Sequence, residues 1–96
     1  MTPDESAALD LRRRRLLFRA THRGTKENDL MIGGYVAAHL PTLDHAAIDA
    51  LEAVMELPDT DLADWLTGRR PIPTEADSPT LRDIFAFVAR GGATNA

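Results

Sequence analysis

Residues 43–68, with the sequence LDHAAIDALEAVMELPDTDLADWLTG, decide the fold class. Apolar side chains recur in this stretch at the spacing of an amphipathic helix, on average one in every 3.6 residues. The first apolar stripe consists of Ala47, Ile48, Leu51, Val54 and Met55. The second consists of Leu62, Trp65 and Leu66. We therefore predict two short helices here, separated near Pro58.

Residues typical of helix ends flank both stripes. Asp44 is predicted to cap the first helix, and Leu43 with Ile48 is predicted to form a hydrophobic staple across its start. Asp59 is predicted to cap the second helix, and Gly68 is predicted to end it. The capping pattern and the apolar spacing thus agree on the same two helices.

Three more helices are predicted outside this stretch, two before it and one after it. The first covers residues 6–22, ends before Gly24, and has as its apolar face Leu9, Leu16, Leu17 and Ala20. The second covers residues 26–40, ends at Pro41, and has as its apolar content Leu30, Met31, Tyr35, Val36 and Leu40. The last begins at Ser78-Pro79, closes at Gly91-Gly92, and has as its stripe Leu81, Ile84, Phe85 and Val88.

Strand-like alternation and hairpin dipeptides are absent from the sequence. The fold class predicted is therefore all-α, a small five-helix bundle in a single domain. Residues 12–90 form the predicted domain, preceded by a partly ordered N-terminus (1–11) and followed by a flexible tail (91–96).

Gly33 and Gly34 lie inside the second predicted helix. Each glycine destabilises a helix interior by about 1 kcal/mol relative to alanine, so the pair needs a structural reason. We expect another helix, or the backbone of a partner, to approach closely at this point.

The composition is that of an ordinary globular domain. The chain has 96 residues, 44% of them hydrophobic and 27% charged, and it has no cysteine, which excludes disulfides and thiolate chemistry. No apolar run is long enough to span a membrane, and the N-terminus lacks the apolar core of a secretory signal. We expect a protein without membrane insertion, monomeric when free, and the missing transit segment favours a bacterial cytoplasm.

Charge is distributed unevenly along the chain. Residues 1–26 carry seven basic and three acidic side chains, whereas residues 27–96 carry four basic and twelve acidic ones. An acidic chain with few aromatic residues is a poor candidate for nucleic-acid binding. The basic run Arg12 to Arg15 has three interpretations at this stage: a solvated helix face, a nucleic-acid patch, or part of a partner-binding surface.

The sequence shows no pattern typical of a catalytic or metal site. His22, His39 and His45 are scattered and lack a matching set of carboxylates. No serine–histidine–acid constellation, paired carboxylates or phosphate-binding loop is present. We therefore predict no catalytic residues, no metal and no cofactor-binding residues, and we expect that the protein is not an enzyme.

The most informative string is Arg23-Gly24-Thr25-Lys26-Glu27-Asn28-Asp29, at the joint between the first two predicted helices. Gly24 can adopt a positive φ and leaves the backbone uncovered, while Arg23 offers a planar donor fork and Glu27 an acceptor. One interpretation is a helix C-terminus with a local Arg23–Glu27 ion pair. The other is a compact polar tip that contacts a partner.

A wider set of motifs accompanies this string. Arg15-Leu16-Leu17-Phe18 lies before it, and Leu57-Pro58-Asp59-Thr60-Asp61-Leu62 and Trp65-Leu66 follow it. In this order, over about residues 12–90, they closely resemble the FAD assembly factor family of succinate dehydrogenase. The resemblance implies a five-helix bundle, in agreement with the periodicity.

The resemblance also implies a function. Members bind the flavoprotein subunit of succinate dehydrogenase, in some bacteria also that of fumarate reductase, and promote covalent attachment of FAD to a histidine of that subunit. The FAD belongs to the partner, so the factor has no cofactor of its own. In a eukaryote, the resemblance implies the mitochondrial matrix. Carried over by matching positions, the partner-binding residues are Arg15, Arg23, Gly24, Glu27, Asp59, Asp61 and Trp65.

Two rival classes fit the residues less well. One is a generic helical adaptor or nucleic-acid-associated regulator that uses the arginine-rich first helix, and it predicts salt-sensitive binding to DNA or RNA. The other is a stand-alone flavin-binding protein, which would purify yellow. The assembly-factor interpretation predicts a colourless protein that co-purifies with a large flavoprotein.

Overall fold

All five predicted helices form in residues 1–92, the part of the chain that the computed structural model describes. They are α1 (Pro3–Thr21), α2 (Lys26–His39), α3 (His45–Met55), α4 (Asp59–Leu66) and α5 (Pro79–Ala89). Single 3₁₀ turns at Leu40–Thr42 and Thr74–Ala76 lie in the connections, and no strand occurs within this range. The all-α five-helix prediction is confirmed. Of the tail expected at 91–96, residues 93–96 lie outside the described residues.

Side-chain caps begin most of the helices. Asp44 accepts a hydrogen bond from the backbone N–H of Ala47 at 2.8 Å, and Ser78 accepts one from Leu81 at 3.1 Å. Both of these caps were expected from the sequence. The cap predicted at Asp59 is wrong: Pro58 occupies the N-cap of α4, and Asp59 is its first helical residue. The carboxylate of Asp59 bonds to the turn before α2 instead, as described below.

Helix α1 is longer than the spacing of its apolar residues indicates. It begins at Pro3 rather than near Ser6, with Thr2 as its N-cap accepting from the N–H of Glu5 at 3.2 Å. Thr-Pro followed by Asp and Glu is the usual start of a helix, since proline suits the first helical position and acidic side chains favour the first turn. Residues 3–11 are therefore helical.

Helix α2 lies at the centre and contacts α1, α4 and α5. It buries one polar side chain and four large apolar ones, namely Asn28, Met31, Ile32, Tyr35 and Val36. Leu30, which is part of the apolar content of this helix, lies outside the core, since its side chain is 50% exposed. At about 100° per residue, position 30 faces away from the buried positions of α2.

The two glycines of α2 have different surroundings. A Cβ on Gly33 would lie 2.7 Å from Cγ2 of Thr21 and 3.2 Å from the carbonyl oxygen of Ala20, so α1 packs directly on its backbone. A Cβ on Gly34 would lie 3.5 Å from the ring of Phe87, an ordinary contact. The expected close approach of a helix is thus confirmed at Gly33. None of the helices in residues 1–92 combines the length and apolar character needed to cross a membrane.

Candidate partner-binding site

The turn between α1 and α2 presents an uncovered glycine to solvent. Gly24 is exposed and has φ +104°, a conformation that side-chain-bearing residues rarely adopt. A Cβ built at this position would meet no other heavy atom within 4 Å. The backbone of Gly24 is therefore open to contact by another molecule.

Arg23 links this turn to the start of α4 by a side-chain ion pair. Its side chain is only 10% exposed, and its Nε donates to Oδ1 of Asp59 at 2.8 Å. Its backbone N–H donates to Oδ1 of Asp29, in the first turn of α2, at 2.7 Å. Two carboxylates from two helices thus hold the residue that precedes Gly24, and charge-assisted bonds of this kind are among the stronger ones.

Asn28, a buried side chain in the first turn of α2, also bonds to Asp59. It is fully buried, and its Nδ2 donates to the backbone carbonyl of Asp59 at 2.9 Å and to the carboxylate of Asp59 at 3.2 Å. Its Oδ1 is the one buried side-chain polar atom in residues 1–92 that lacks a hydrogen-bond partner. We call Arg23, Asn28, Asp29 and Asp59 the turn latch.

Glu27 lies at the surface, next to the turn latch. Its side chain is 47% exposed, and it accepts a bond from Arg69 at 3.1 Å. Arg69 and Arg70 both donate to Asp64, at 3.0 and 2.9 Å, and Arg70 also donates to Asp61 at 2.7 Å. Hydrogen bonds from the two guanidinium groups lower the pKa of Asp64 below its ordinary value. These five residues form the α2–α4 ion network.

The structure therefore pairs Arg23 and Glu27 with different residues, and not with each other. The local Arg23–Glu27 ion pair, which was one interpretation of the sequence, is replaced by the bonds Arg23–Asp59 and Glu27–Arg69. Beside Glu27 the surface forms a shallow groove of about 470 Å³. Its lining comprises Thr25, Glu27, Asp59, Thr60, Ala63, Asp64 and Arg69.

The remaining residues carried over from the resemblance occupy three different settings. Trp65 is 6% exposed and belongs to the core, as its spacing indicates, with the guanidinium of Arg70 6.0 Å from its ring centroid. Asp61 belongs to the α2–α4 ion network. Arg15 is exposed on α1 and makes no ion pair within residues 1–92. The structure thus places Glu27 and Asp59 on one groove and bonds Arg23 to Asp59.

Three arginines of α1 bond to different groups of the chain. Arg12 bonds to Asp49 and Glu52, at 2.8 and 2.9 Å, whereas Arg13 bonds to Asp10 and to the carbonyl of Leu43. Arg19, farther along α1, reaches Glu52 and Glu56. Since three of the arginines on α1 are engaged within the chain, the run is not a continuous patch for a polyanion.

Sequence reasoning assigned no role to Asn28, Asp29, Asp64, Arg69 or Arg70. One signal was available, because Asn28 lies three, four, seven and eight residues before apolar residues that are buried in α2. A polar residue on an apolar stripe indicates a buried hydrogen bond. The ion pairs of Arg69 and Arg70 had no such signal, since they depend on how the loop after α4 folds.

Comparison with known proteins now assigns the chain to a family. The model of a family described as the flavinator of succinate dehydrogenase matches residues 14–88, which contain the turn, the turn latch and the α2–α4 ion network. The chain belongs to this family. The family expected from the sequence is thereby confirmed.

Relatives of this chain occur in bacteria and in mitochondria. The FAD assembly factor SdhE of Acetobacter pasteurianus is 46% identical over 86 residues, which are 88% of this chain and 79% of that protein. The mitochondrial succinate dehydrogenase assembly factor 2 of Mycosarcoma maydis is 33% identical over 72% of this chain, and that of Aedes aegypti is 33% identical over 76%. The chain spans only 29% and 47%, respectively, of these two mitochondrial proteins. No solved structure matches this chain.

Proposed function

We propose that this flavinator docks its α1–α2 turn against the immature flavoprotein subunit of succinate dehydrogenase and holds that subunit in the arrangement in which FAD is attached covalently. The observation that carries the proposal is the open backbone of Gly24, which no residue within 4 Å would shield from a partner. Membership of the flavinator family supports the choice of partner.

The turn latch supports this proposal because it keeps the turn in one shape before binding. Arg23, Asp59 and buried Asn28 fix the backbone on both sides of Gly24. A turn that is already ordered loses little conformational entropy when a partner docks, so more of the contact energy remains as affinity.

In this proposal, Arg23 and Glu27 differ in how much of each side chain is available to the partner. The Nε of Arg23 is committed to Asp59, so only its terminal nitrogens, which make no bond within residues 1–92, remain for a partner. Glu27 is half-exposed and accepts from Arg69, whose side chain is 54% exposed and can rotate away. We assign Glu27 to a charge-assisted bond with the partner and Arg23 mainly to holding the turn.

We assign the FAD to the partner and not to this chain. The groove beside Glu27 is lined by three carboxylates, those of Glu27, Asp59 and Asp64, and by one guanidinium, that of Arg69, which is paired with two of them. The groove thus offers the pyrophosphate of FAD no unpaired cation, whereas phosphate sites in proteins commonly present cations. The same groove suits a partner segment that carries basic side chains.

We further propose that this chain has no turnover chemistry of its own. Orientation of reacting groups accounts for several kcal/mol of many barriers, roughly 7–11 at the upper limit, so holding the subunit correctly is a sufficient role. The flavin and the target subunit supply the bond-forming chemistry. We expect the factor to act as a monomer in the bacterial cytoplasm, with the fumarate reductase flavoprotein as a second client where that enzyme is present.

The test uses cells that lack this chain and are complemented with variants of it. The quantity measured is the covalent flavin on the flavoprotein subunit, detected as in-gel flavin fluorescence. Gly24→Ala should abolish the signal. Gly68→Ala is the matched control, because Gly68 also has a positive φ, +79°, and no heavy atom within 4 Å of the place that an added methyl group would take. Both variants place an alanine at a positive φ, which costs about 1–3 kcal/mol.

Only Gly24 lies in the α1–α2 turn, so loss with Gly24→Ala and retention with Gly68→Ala would support the docking contact. Equal signals for the two variants would contradict it. Circular dichroism and a thermal melt of each variant would show that both remain folded.

A further inference from the structure

The side of α1 that faces away from the core carries two exposed apolar side chains. Leu11 is 40% exposed and Phe18 is 63% exposed. At about 100° per residue, these positions lie roughly opposite the buried face of the helix. That buried face consists of Leu9, Leu16 and Ala20. The exposure of Leu11 and Phe18 therefore follows from their place on the helix.

The unpaired arginines of α1 flank these apolar side chains. Arg14 and Arg15 make no ion pair within residues 1–92. Arg12 and Arg19 bond to acids in α3 or just after it. Arg13 bonds to Asp10 of α1 and to the carbonyl of Leu43. The unpaired arginines of α1 thus both lie on its outward side, where they make no ion pair within the described part of the chain.

This surface leads directly to the α1–α2 turn. The rings of Phe18 and His22 stack with centroids 4.0 Å apart and planes inclined by 16°. The Nδ1 of His22 lies 2.8 Å from the carbonyl oxygen of Phe18, which keeps the imidazole on this side. His22 directly precedes Arg23, so the stacked pair Phe18–His22 lies next to the turn latch.

We propose that Leu11, Arg14, Arg15, Phe18 and His22, the outward face of α1, form a second docking surface that continues the turn. Its occupant is a segment of the same flavoprotein subunit with an apolar side chain flanked by carboxylates. This inference rests on the proposed function and extends it, since it states what chemistry the partner presents next to the turn.

The shape and charge of the outward face favour that occupant. Arg14, Arg15, Phe18 and Arg19 line a shallow depression of about 370 Å³, room for a small group of side chains. Aromatic residues and arginine are enriched at protein–protein interfaces, where carboxylates pair with the guanidinium groups. A polyanion such as DNA would meet two free arginines on a chain whose net charge is −4, which is unfavourable.

The test is the dissociation constant of the purified flavoprotein subunit for the unaltered chain, for Gly24→Ala and for four further variants of the full chain. It is measured by calorimetry at low and moderate salt. Phe18→Ser and Arg15→Glu alter the outward face. Leu30→Ser, at an equally exposed apolar position on α2, and Arg90→Glu, an exposed arginine after α5, are the matched controls. All four side chains are exposed, and thermal melts would verify that each variant is folded.

We expect Phe18→Ser and Arg15→Glu to weaken binding about tenfold or more and the controls to change it by less than about threefold. The salt dependence of binding should also decrease in Arg15→Glu. If both outward-face variants bind as tightly as the unaltered chain while Gly24→Ala does not bind, the second surface is refuted and the proposed function stands. If the unaltered chain does not bind the subunit, both are refuted.

Two other outcomes would also overturn the inference. Light scattering that shows a dimer dissolved by Phe18→Ser would assign the outward face to a second copy of this chain. Binding to duplex DNA that is lost in Arg15→Glu would assign it to nucleic acid.

Discussion

At the scale of single residues, the neighbours Arg23 and Gly24 have different structural settings. Arg23 is nearly buried and holds the turn through Asp59 and Asp29, whereas Gly24 is bare and faces solvent. Loss of function in an Arg23 variant therefore combines a structural and a recognition effect. Gly24 is the residue at which recognition can be tested with less ambiguity.

Arg23→Ala should lower the free energy of unfolding by about 2–3 kcal/mol, because it leaves the carboxylate of Asp59 without its charged partner in a partly buried setting. Urea denaturation measures this change. Arg15→Ala is the control, since Arg15 is exposed and makes no ion pair within residues 1–92, and it should change stability by less than about 0.5 kcal/mol. Equal stability of the two variants would show that the turn latch has no structural importance.

Gly33 and Gly34 should respond to substitution in opposite directions. Gly33→Val should destabilise the protein by about 2–3 kcal/mol, because its Cβ would collide with Thr21 and crowd the carbonyl of Ala20. Gly34→Ala should stabilise it by up to about 1 kcal/mol, because alanine favours the helix and its methyl group only touches Phe87. Thermal denaturation of both variants decides this, and the same sign for both would be the contrary result.

At the scale of elements, the α2–α4 ion network joins the first turn of α2 to α4 and the loop after it. Asp64 is its central residue, because Arg69 and Arg70 both bond to it while Glu27 and Asp61 lie at its ends. The two guanidinium groups lower the pKa of Asp64 in the folded protein. The stabilisation that this gives is present above the ordinary aspartate pKa and is lost as the pH falls through the lowered value.

Asp64→Asn should therefore reduce stability at neutral pH, and the difference from the unaltered chain should shrink as the pH falls below the ordinary aspartate pKa of about 4 and through the lowered one. Urea denaturation at a series of pH values measures the difference. A gap between the two proteins that stays constant down to the lowest pH would contradict the role of Asp64 as an ionised centre of the network.

The elements also show what sequence reasoning can and cannot reach. Caps and apolar stripes are local, so Asp44, Ser78 and the core of α3 were predictable within a few residues. The Arg23–Asp59 bond joins residues 36 apart, and it depends on the angle at which α4 meets α2. For that reason Asp59 resembled an N-cap in the sequence, although its carboxylate belongs to the turn latch.

At the scale of the whole molecule, all five helices contribute to one core, which positions the α1–α2 turn. Acids of α3 also bond to Arg12 and Arg19 of α1. In the proposed function, this core is the scaffold for the turn and for the outward face of α1. The family resemblance could be recognised from short motifs in order along the chain. The groove of mixed charge beside Glu27 could not, because it requires the loop that carries Arg69.

The most direct measurement uses purified components: the flavoprotein subunit without flavin, FAD, and this chain in equimolar amount. The initial rate of covalent flavin formation is followed by in-gel fluorescence. We predict a rise of about tenfold or more with the unaltered chain, as orientation of the reacting groups would give, and the unassisted rate with Gly24→Ala. The same rate with and without the unaltered chain would contradict the account.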